Sequence, residues 1–239
     1  MIFDIITIFP EAFSYLNESI LKRAQKNGLV EIRIHNLRDF TVGSHQKVDD
    51  KTYGGGPGMV IKAEPVIKAI QFLTKKNKRL KTKSLVILFS PAGKQFDNKT
   101  AADFTKKYQH IILICGHYEG YDERIKKVIQ DLGFSAQGGS ASGGKIQELS
   151  IGHYVLTGGE LPAMVLIDAI SRRLPGVLGK EESLEERRLG VGVPVYTRPE
   201  VFSRSFSDRG KKKKKYRVPK ILLSGNHLKI NQWRIKRQK

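Results

Sequence analysis

Three short apolar runs, Phe3–Phe9, Leu85–Phe89 and Ile111–Cys115, read as buried strands, and this constrains the fold more than any other feature of the chain. Each gives way to a break and then a helical stretch. Pro10-Glu11 opens the first of these, with Phe13, Leu16, Ile20 and Leu21 on one face. Ser90-Pro-Ala-Gly93 follows the second run and Gly116-His-Tyr-Glu-Gly120 the third. A strand, loop, helix rhythm predicts an α/β fold, a mostly parallel sheet with helices on both faces. Ligands of such sheets collect beyond the carboxyl ends of the strands.

Leu29–Asn36 alternates as a further strand, and helices are expected at Ala63–Leu73, Lys99–Lys107, Glu123–Gln130 and Leu161–Leu174. In the last of these, Leu161, Val165, Asp168 and Arg172 fall along one side, and Pro175-Gly176 ends it. Tyr53–Met59 is too rich in glycine for a regular element, and Gly133–Lys145 has nothing to bury, so both are expected to be loops. Val177–Pro199 reads as an irregular charged connection and Val201–Lys239 as a small domain of two or three helices. The 239 residues therefore divide unequally, with one core-bearing domain of about 150 to 180 residues and a smaller appendage.

The net charge of +20 is concentrated at one end: Ser203–Lys239 holds 14 basic residues and one acidic, an excess of +13 in 37 positions. A field focused in this way attracts a polyanion, and a nucleic-acid backbone fits best. A lipid surface fits less well, because the segment has no long amphipathic apolar face. A single cysteine, Cys115, excludes an internal disulfide and any all-cysteine metal site, and it is expected to be a buried, inert thiol. The first ten residues carry Asp4 and no basic leader, and no apolar run is long enough to span a bilayer, so a cytoplasmic location is expected. Dinucleotide, P-loop and zinc-protease motifs are absent.

Ile146–Glu160 places glycines around a short apolar run that feeds directly into a helix. Together with Ser90–Gly93 and Gly116–Gly120, the Ser150–Gly159 loop supplies many main-chain amides and carbonyls beside Tyr118 and Tyr154. Such a site recognises an adenine edge and a ribose, and it lacks a cradle for the phosphates of a dinucleotide.

Seven motifs, in order, carry a resemblance. They are Asp4-Ile-Ile-Thr-Ile-Phe-Pro10, Asp49-Asp-Lys-Thr-Tyr-Gly-Gly-Gly-Pro-Gly-Met59, Cys115-Gly-His-Tyr-Glu-Gly-Tyr-Asp-Glu-Arg124, Ser150-Ile-Gly-His-Tyr-Val-Leu-Thr-Gly-Gly-Glu-Leu-Pro-Ala-Met164, Pro175-Gly-Val-Leu-Gly179, Tyr196-Thr-Arg-Pro-Glu200 and Leu223-Ser-Gly-Asn-His227. Over nearly its whole length the chain resembles the bacterial tRNA (guanine-37-N1)-methyltransferases, of the trefoil-knotted (SPOUT) superfamily. The resemblance implies a deep knot, an exception to the rule that chains do not thread their own loops. It also implies a homodimer with shared active sites, S-adenosyl-L-methionine as methyl donor, and a tRNA anticodon arm as substrate. Residues 1–175 would form the catalytic domain, 176–199 a linker and 200–239 a basic tRNA-binding domain. Donor contacts would come from Ser90, Pro91, Gly116, Tyr118, Glu119, Ile151, Gly152, His153, Tyr154, Val155, Leu156, Gly158, Gly159 and Pro162. Arg172 would act close to the target guanine, and Asp50 and Gly54–Met59 would lie near the dimer seam and the tRNA. Magnesium is associated with the family, but the sequence shows no dedicated metal cage.

The chain departs from that family at several places. His153 stands where an aspartate is usual, and His117 where an arginine is usual. The Gly133–Lys145 stretch is an insertion before the Ser150 motif, which closure entropy tolerates because its cost rises only logarithmically with length. The aspartate of the family's Asp-Ser-Phe motif aligns with Arg187, and a guanidinium cannot serve as a base near neutrality. Glu185 or Glu186, with Glu182 behind them, is expected to take that role. Two other readings fit the same residues: an RNA-binding protein that keeps the fold without catalysis, and a knotted methyltransferase that acts on another RNA nucleotide.

Overall fold

In a computed structural model of the chain, the first apolar run forms β1 (Ile2–Thr7), an inner strand of a five-stranded sheet. The structure describes residues 1–77, 83–135, 144–180, 184, 192–204 and 214–237, which belong to two units, Met1–Gly179 and Lys180–Lys239. In the first unit β1 lies between β2 (Glu31–Asn36) and β6 (His110–Ile114), with Ile5 level with Ile34 on one side and Leu113 on the other. On the far side of β6 come β5 (Ser84–Gln95) and β7 (Lys145–Ser150), giving the order β2-β1-β6-β5-β7 with every pairing parallel.

Strands buried on both faces need apolar residues at successive positions, and β6 is buried throughout. Alternate residues serve two cores. Phe3, Ile5, Leu85, Ile87, Ile111 and Leu113 pack with α1 (Ser19–Lys26), α3 (Asn98–Lys107) and α5 (Glu160–Ser171). Ile6, Val86, Leu88, Ile112 and Ile114 pack with α2 (Ala63–Asn77) and α4 (Arg124–Asp131). Helices therefore cover both faces, as the strand, loop, helix rhythm predicts.

Local differences from the sequence reading have physical causes. The first helical stretch divides at Glu18, whose extended backbone separates a 3-10 helix at Pro10–Asn17 from α1. Ser90–Gly93 is a bulge within β5 and not a loop after it, since Phe89 and Lys94 both lie level with Leu149 of β7. A Cβ on Gly93 would sit 2.7 Å from the Leu149 main chain, so a side chain there would push the two strands apart. β7 itself alternates too weakly to be recognised, being a partly buried edge strand. The glycine loop at 53–58 is the tip of a hairpin of β3 (Asp49–Lys51) and β4 (Met59–Ile61). Within the expected Gly133–Lys145 loop, residues 136–143 lie outside the described residues.

A polar cluster interrupts the apolar β1. Asp4 is fully buried and lies 2.7 Å from His35 Nε2 and 2.7 Å from His110 Nε2, with Ser84 Oγ 2.8 Å from His110 Nδ1. Burial alone would push the Asp4 carboxyl up, but hydrogen bonds from His110 and His35 outweigh it and hold the group well below the usual carboxylate range. Asp4→Ala should cost about 2–4 kcal/mol in urea unfolding at neutral pH, because the buried His110 and the half-buried His35 would each lose a hydrogen-bond partner. A carboxyl depressed by folding contributes fully above its unfolded value and loses that contribution as acid protonates it. The gap between wild type and variant should therefore narrow below about pH 4.

The second unit was expected to be mainly helical, and its described residues add a strand pair, β8 (Val201–Arg204) antiparallel to β9 (Lys214–Arg217). One helical turn at Lys220–Leu223 and a helix at His227–Ile235 follow, the latter capped by Asn226, which accepts from Lys229 N at 3.1 Å. Ile230 is buried, and Trp233 has the Tyr196 ring 6.3 Å away and the Arg237 guanidinium 4.5 Å from its ring centre. Among the described residues no helix is long and apolar enough to cross a membrane.

Candidate functional site

Beyond the carboxyl ends of β5, β6 and β7 the first unit opens into a cleft of about 460 Å³, within the range of small-ligand sites. Three turns build it. The β5 bulge contributes Ser90 and Pro91, and the turn after β6 contributes Gly116, Tyr118 and Glu119. The turn after β7 contributes Ile151, Gly152, Tyr154, Val155, Leu156, Gly158 and Gly159, and Pro162 closes the wall from the first turn of α5. The structure thus gathers every expected donor residue except His153, which is exposed and is not part of the lining.

Main-chain hydrogen bonds fix the turns against one another. Gly159 N donates to Gly116 O at 2.9 Å, and His117 pairs antiparallel with Gly158, so the second and third turns form one wall. A Cβ at Gly159 would lie 2.6 Å from Cys115 Cα and 2.9 Å from Gly116 N, and this position accepts no side chain without moving a strand end. Tyr118 holds a left-handed backbone at φ 60°, an uncommon conformation for a residue with a side chain. The β4 strand braces the same turn from outside: Glu119 N donates to Met59 O and Ile61 N to Gly120 O, each at 3.0 Å.

Beneath this wall, one carboxyl group joins three distant segments. Thr7 Oγ1 donates to Glu160 Oε1 at 2.6 Å, and Glu160 Oε2 lies 2.7 Å from His117 Nε2. The His117 ring also meets Phe9 edge to face at 4.9 Å. His117 thus reaches a largely buried acidic partner. The sequence reading identified His117 and Glu160 separately and had no signal by which to pair them. At the open end Lys126 bridges Glu123 at 2.8 Å and Glu148 at 2.5 Å. Burial would lower the Lys126 ammonium, but the two carboxylates outweigh it and raise it. That bridge escaped notice because Glu148 sits on the unrecognised β7.

Cys115 is buried directly behind Gly159. Burial, reinforced by Glu160, pushes its thiol well above the ordinary value, which suits an inert core residue and not a nucleophile. Arg172 lies at the carboxyl end of α5 and is not part of the cleft lining of its own chain. The 12-residue helix separates it from Gly159 by about 18 Å. Glu182, Glu185 and Glu186 lie outside the described residues. Among the described residues no group of three or more His, Cys, Asp or Glu side chains is placed to hold a metal ion.

The family profile described as tRNA (Guanine-1)-methyltransferase TrmD matches residues 1–239. A protein of Carboxydothermus hydrogenoformans named tRNA (guanine-N(1)-)-methyltransferase is 47% identical over 237 residues, covering 98% of this chain and 81% of that one. A protein of the same name from Dictyoglomus turgidum is 49% identical over 237 residues, covering 98% and 83%. Another from Listeria innocua is 44% identical over 238 residues, covering 98% and 85%. Agreement along the whole chain establishes that this protein belongs to the tRNA (guanine-1)-methyltransferase family.

Proposed function

We infer that the protein transfers a methyl group from S-adenosyl-L-methionine to N1 of guanine-37 in tRNA. The observation that carries this reading is the cleft in which three glycine-bearing turns present main-chain groups beside apolar side chains. Ile151, Leu156 and Pro162 offer an apolar slot for an adenine ring, with carbonyls and amides of the same turns at its edge. When bound, the donor supplies an electrophilic methyl on sulfur. Guanine N1 attacks that carbon in line, the carbon–sulfur bond breaks, and a neutral thioether leaves. The N1 proton passes to a carboxylate, assigned to Glu185 or Glu186, while Arg172 stabilises the negative charge that develops on O6. The target base must first leave its stack and enter the cleft.

Because Arg172 sits a helix length from the cleft of its own chain, a homodimer in which each subunit completes the other's site accounts for its role. The outer side of α5 supports this, with Leu161 56% and Val165 47% exposed and in need of cover. A trefoil knot belongs to the same reading, in which the Gly116 and Gly158–Gly159 turns, joined by the Gly159–Gly116 hydrogen bond, would lie within the knotted segment. Magnesium is assigned no residue. The basic second unit would hold the tRNA through phosphate contacts, which position the substrate without selecting the base. A cytoplasmic location agrees with such a substrate.

Mass analysis of nuclease-digested tRNA after incubation with isotopically labelled donor tests the reading. N1-methylguanosine beside the anticodon is expected. Label in another nucleotide would overturn the substrate, and donor uptake measured by calorimetry without transfer to any tRNA would assign the chain to a non-catalytic RNA-binding role.

A further inference from the structure

Resting on the reading that the substrate is a tRNA, we propose that the β8–β9 ribbon is a stacking platform for an unpaired base of that RNA. The two strands set Phe202 directly opposite Tyr216. Their rings lie 6.2 Å apart at 37°, yet Phe202 is 57% and Tyr216 41% exposed. Cross-strand aromatic pairs steady a ribbon by a modest amount, and that role alone gives no reason to leave both rings open to water. By contrast Trp233, the large aromatic of the neighbouring helix, is already engaged by Tyr196 and Arg237.

Charge determines which partner fits. Lys214 holds its ammonium 5.5 Å from the centre of the Tyr216 ring, and Lys215 and Arg217 are exposed on the same strand. The surrounding segment, Ser203–Lys239, carries 14 basic residues and one acidic. Flat rings bordered by the Lys214 ammonium, on a ribbon whose other face carries Lys215 and Arg217, suit a nucleotide whose base stacks on the rings while its phosphates meet the cations. Stacking of this kind tolerates any base, so the platform would add affinity and leave the choice of target to the cleft. A lipid surface would call for a long apolar face, and the ribbon supplies two rings.

The experiment uses the full-length protein and an unmodified tRNA transcript. Phe202→Val and Tyr216→Val put β-branched side chains that suit a strand in place of the flat rings. Each should weaken tRNA binding by about tenfold, raise KM for tRNA with little change in kcat, and leave the dependence of affinity on salt unaltered, since no charge is lost. Tyr216→Phe should bind as wild type. Lys214→Gln should instead lower the slope of log affinity against log salt by about one. Wild-type affinity in both valine variants would overturn the proposal. So would a loss of self-association, or of binding to anionic vesicles, with tRNA affinity intact. A wild-type protein that binds no tRNA at all would instead count against the methyltransferase reading itself.

Discussion

Gly159→Ala is expected to lower affinity for S-adenosyl-L-methionine by about a hundredfold, a loss of the size that follows from moving a binding wall by an ångström or so. The new methyl would meet Cys115 Cα at 2.6 Å, Gly116 N at 2.9 Å and Cys115 C at 3.1 Å. All three are main-chain atoms, and Cys115 is buried at the end of a strand that is itself fully buried, so no flexible side chain can yield. The least costly relief is to separate the second and third turns, breaking the Gly159–Gly116 hydrogen bond. Overpacking of this kind costs about 1–3 kcal/mol, which a folded unit can survive. Calorimetric titration with the donor, beside thermal unfolding of the same sample, reads the two effects apart. Wild-type donor affinity in the variant would show that this pair of turns is not the binding wall.

The largest expected loss of turnover comes from the linker. One of Glu185→Gln and Glu186→Gln should reduce kcat by roughly 10²–10⁴, the usual contribution of a positioned base, with donor and tRNA affinities nearly unchanged. Glutamine preserves size and hydrogen bonding but cannot accept the N1 proton at neutral pH. Single-turnover methylation with saturating donor is the measurement. Unchanged rates in both single variants and in the double variant would remove these residues from the reaction and leave the proton acceptor to be sought elsewhere.

The sheet and its helices were legible because β1, β5 and β6 are apolar on both faces, and because turn residues punctuate them. The chain could not announce β7 in the same way: Lys145-Ile-Gln-Glu-Leu-Ser150 is half polar, and its pairing depends on β5 beside it. Missing that strand also hid the Lys126–Glu148 bridge. The turns of the cleft were legible as glycine clusters joined to a family pattern, and the cleft is lined by all of the residues expected to contact a donor except His153. The joining of Thr7, His117 and Glu160 was not legible, since 153 positions separate Thr7 from Glu160 and no local periodicity records such a meeting. The pairing of β8 with β9 was missed for another reason: Lys214 and Lys215 of β9 continue a run of lysines that resembles a solvated tail in composition.

The meeting at Glu160 also sets an order of events in the life of the protein. One carboxyl group ties residue 7, near the start of the chain, to residues 117 and 160, so the wall of the cleft gains this buried support only when all three segments are in place. On a ribosome, where the chain emerges from its amino end, β1 and β6 must wait for α5 before the pocket exists. Contacts between residues so distant along the chain are also slow to form. A nascent or half-folded copy would consequently lack the finished cleft, and binding of the proposed donor would report that the first unit is fully assembled.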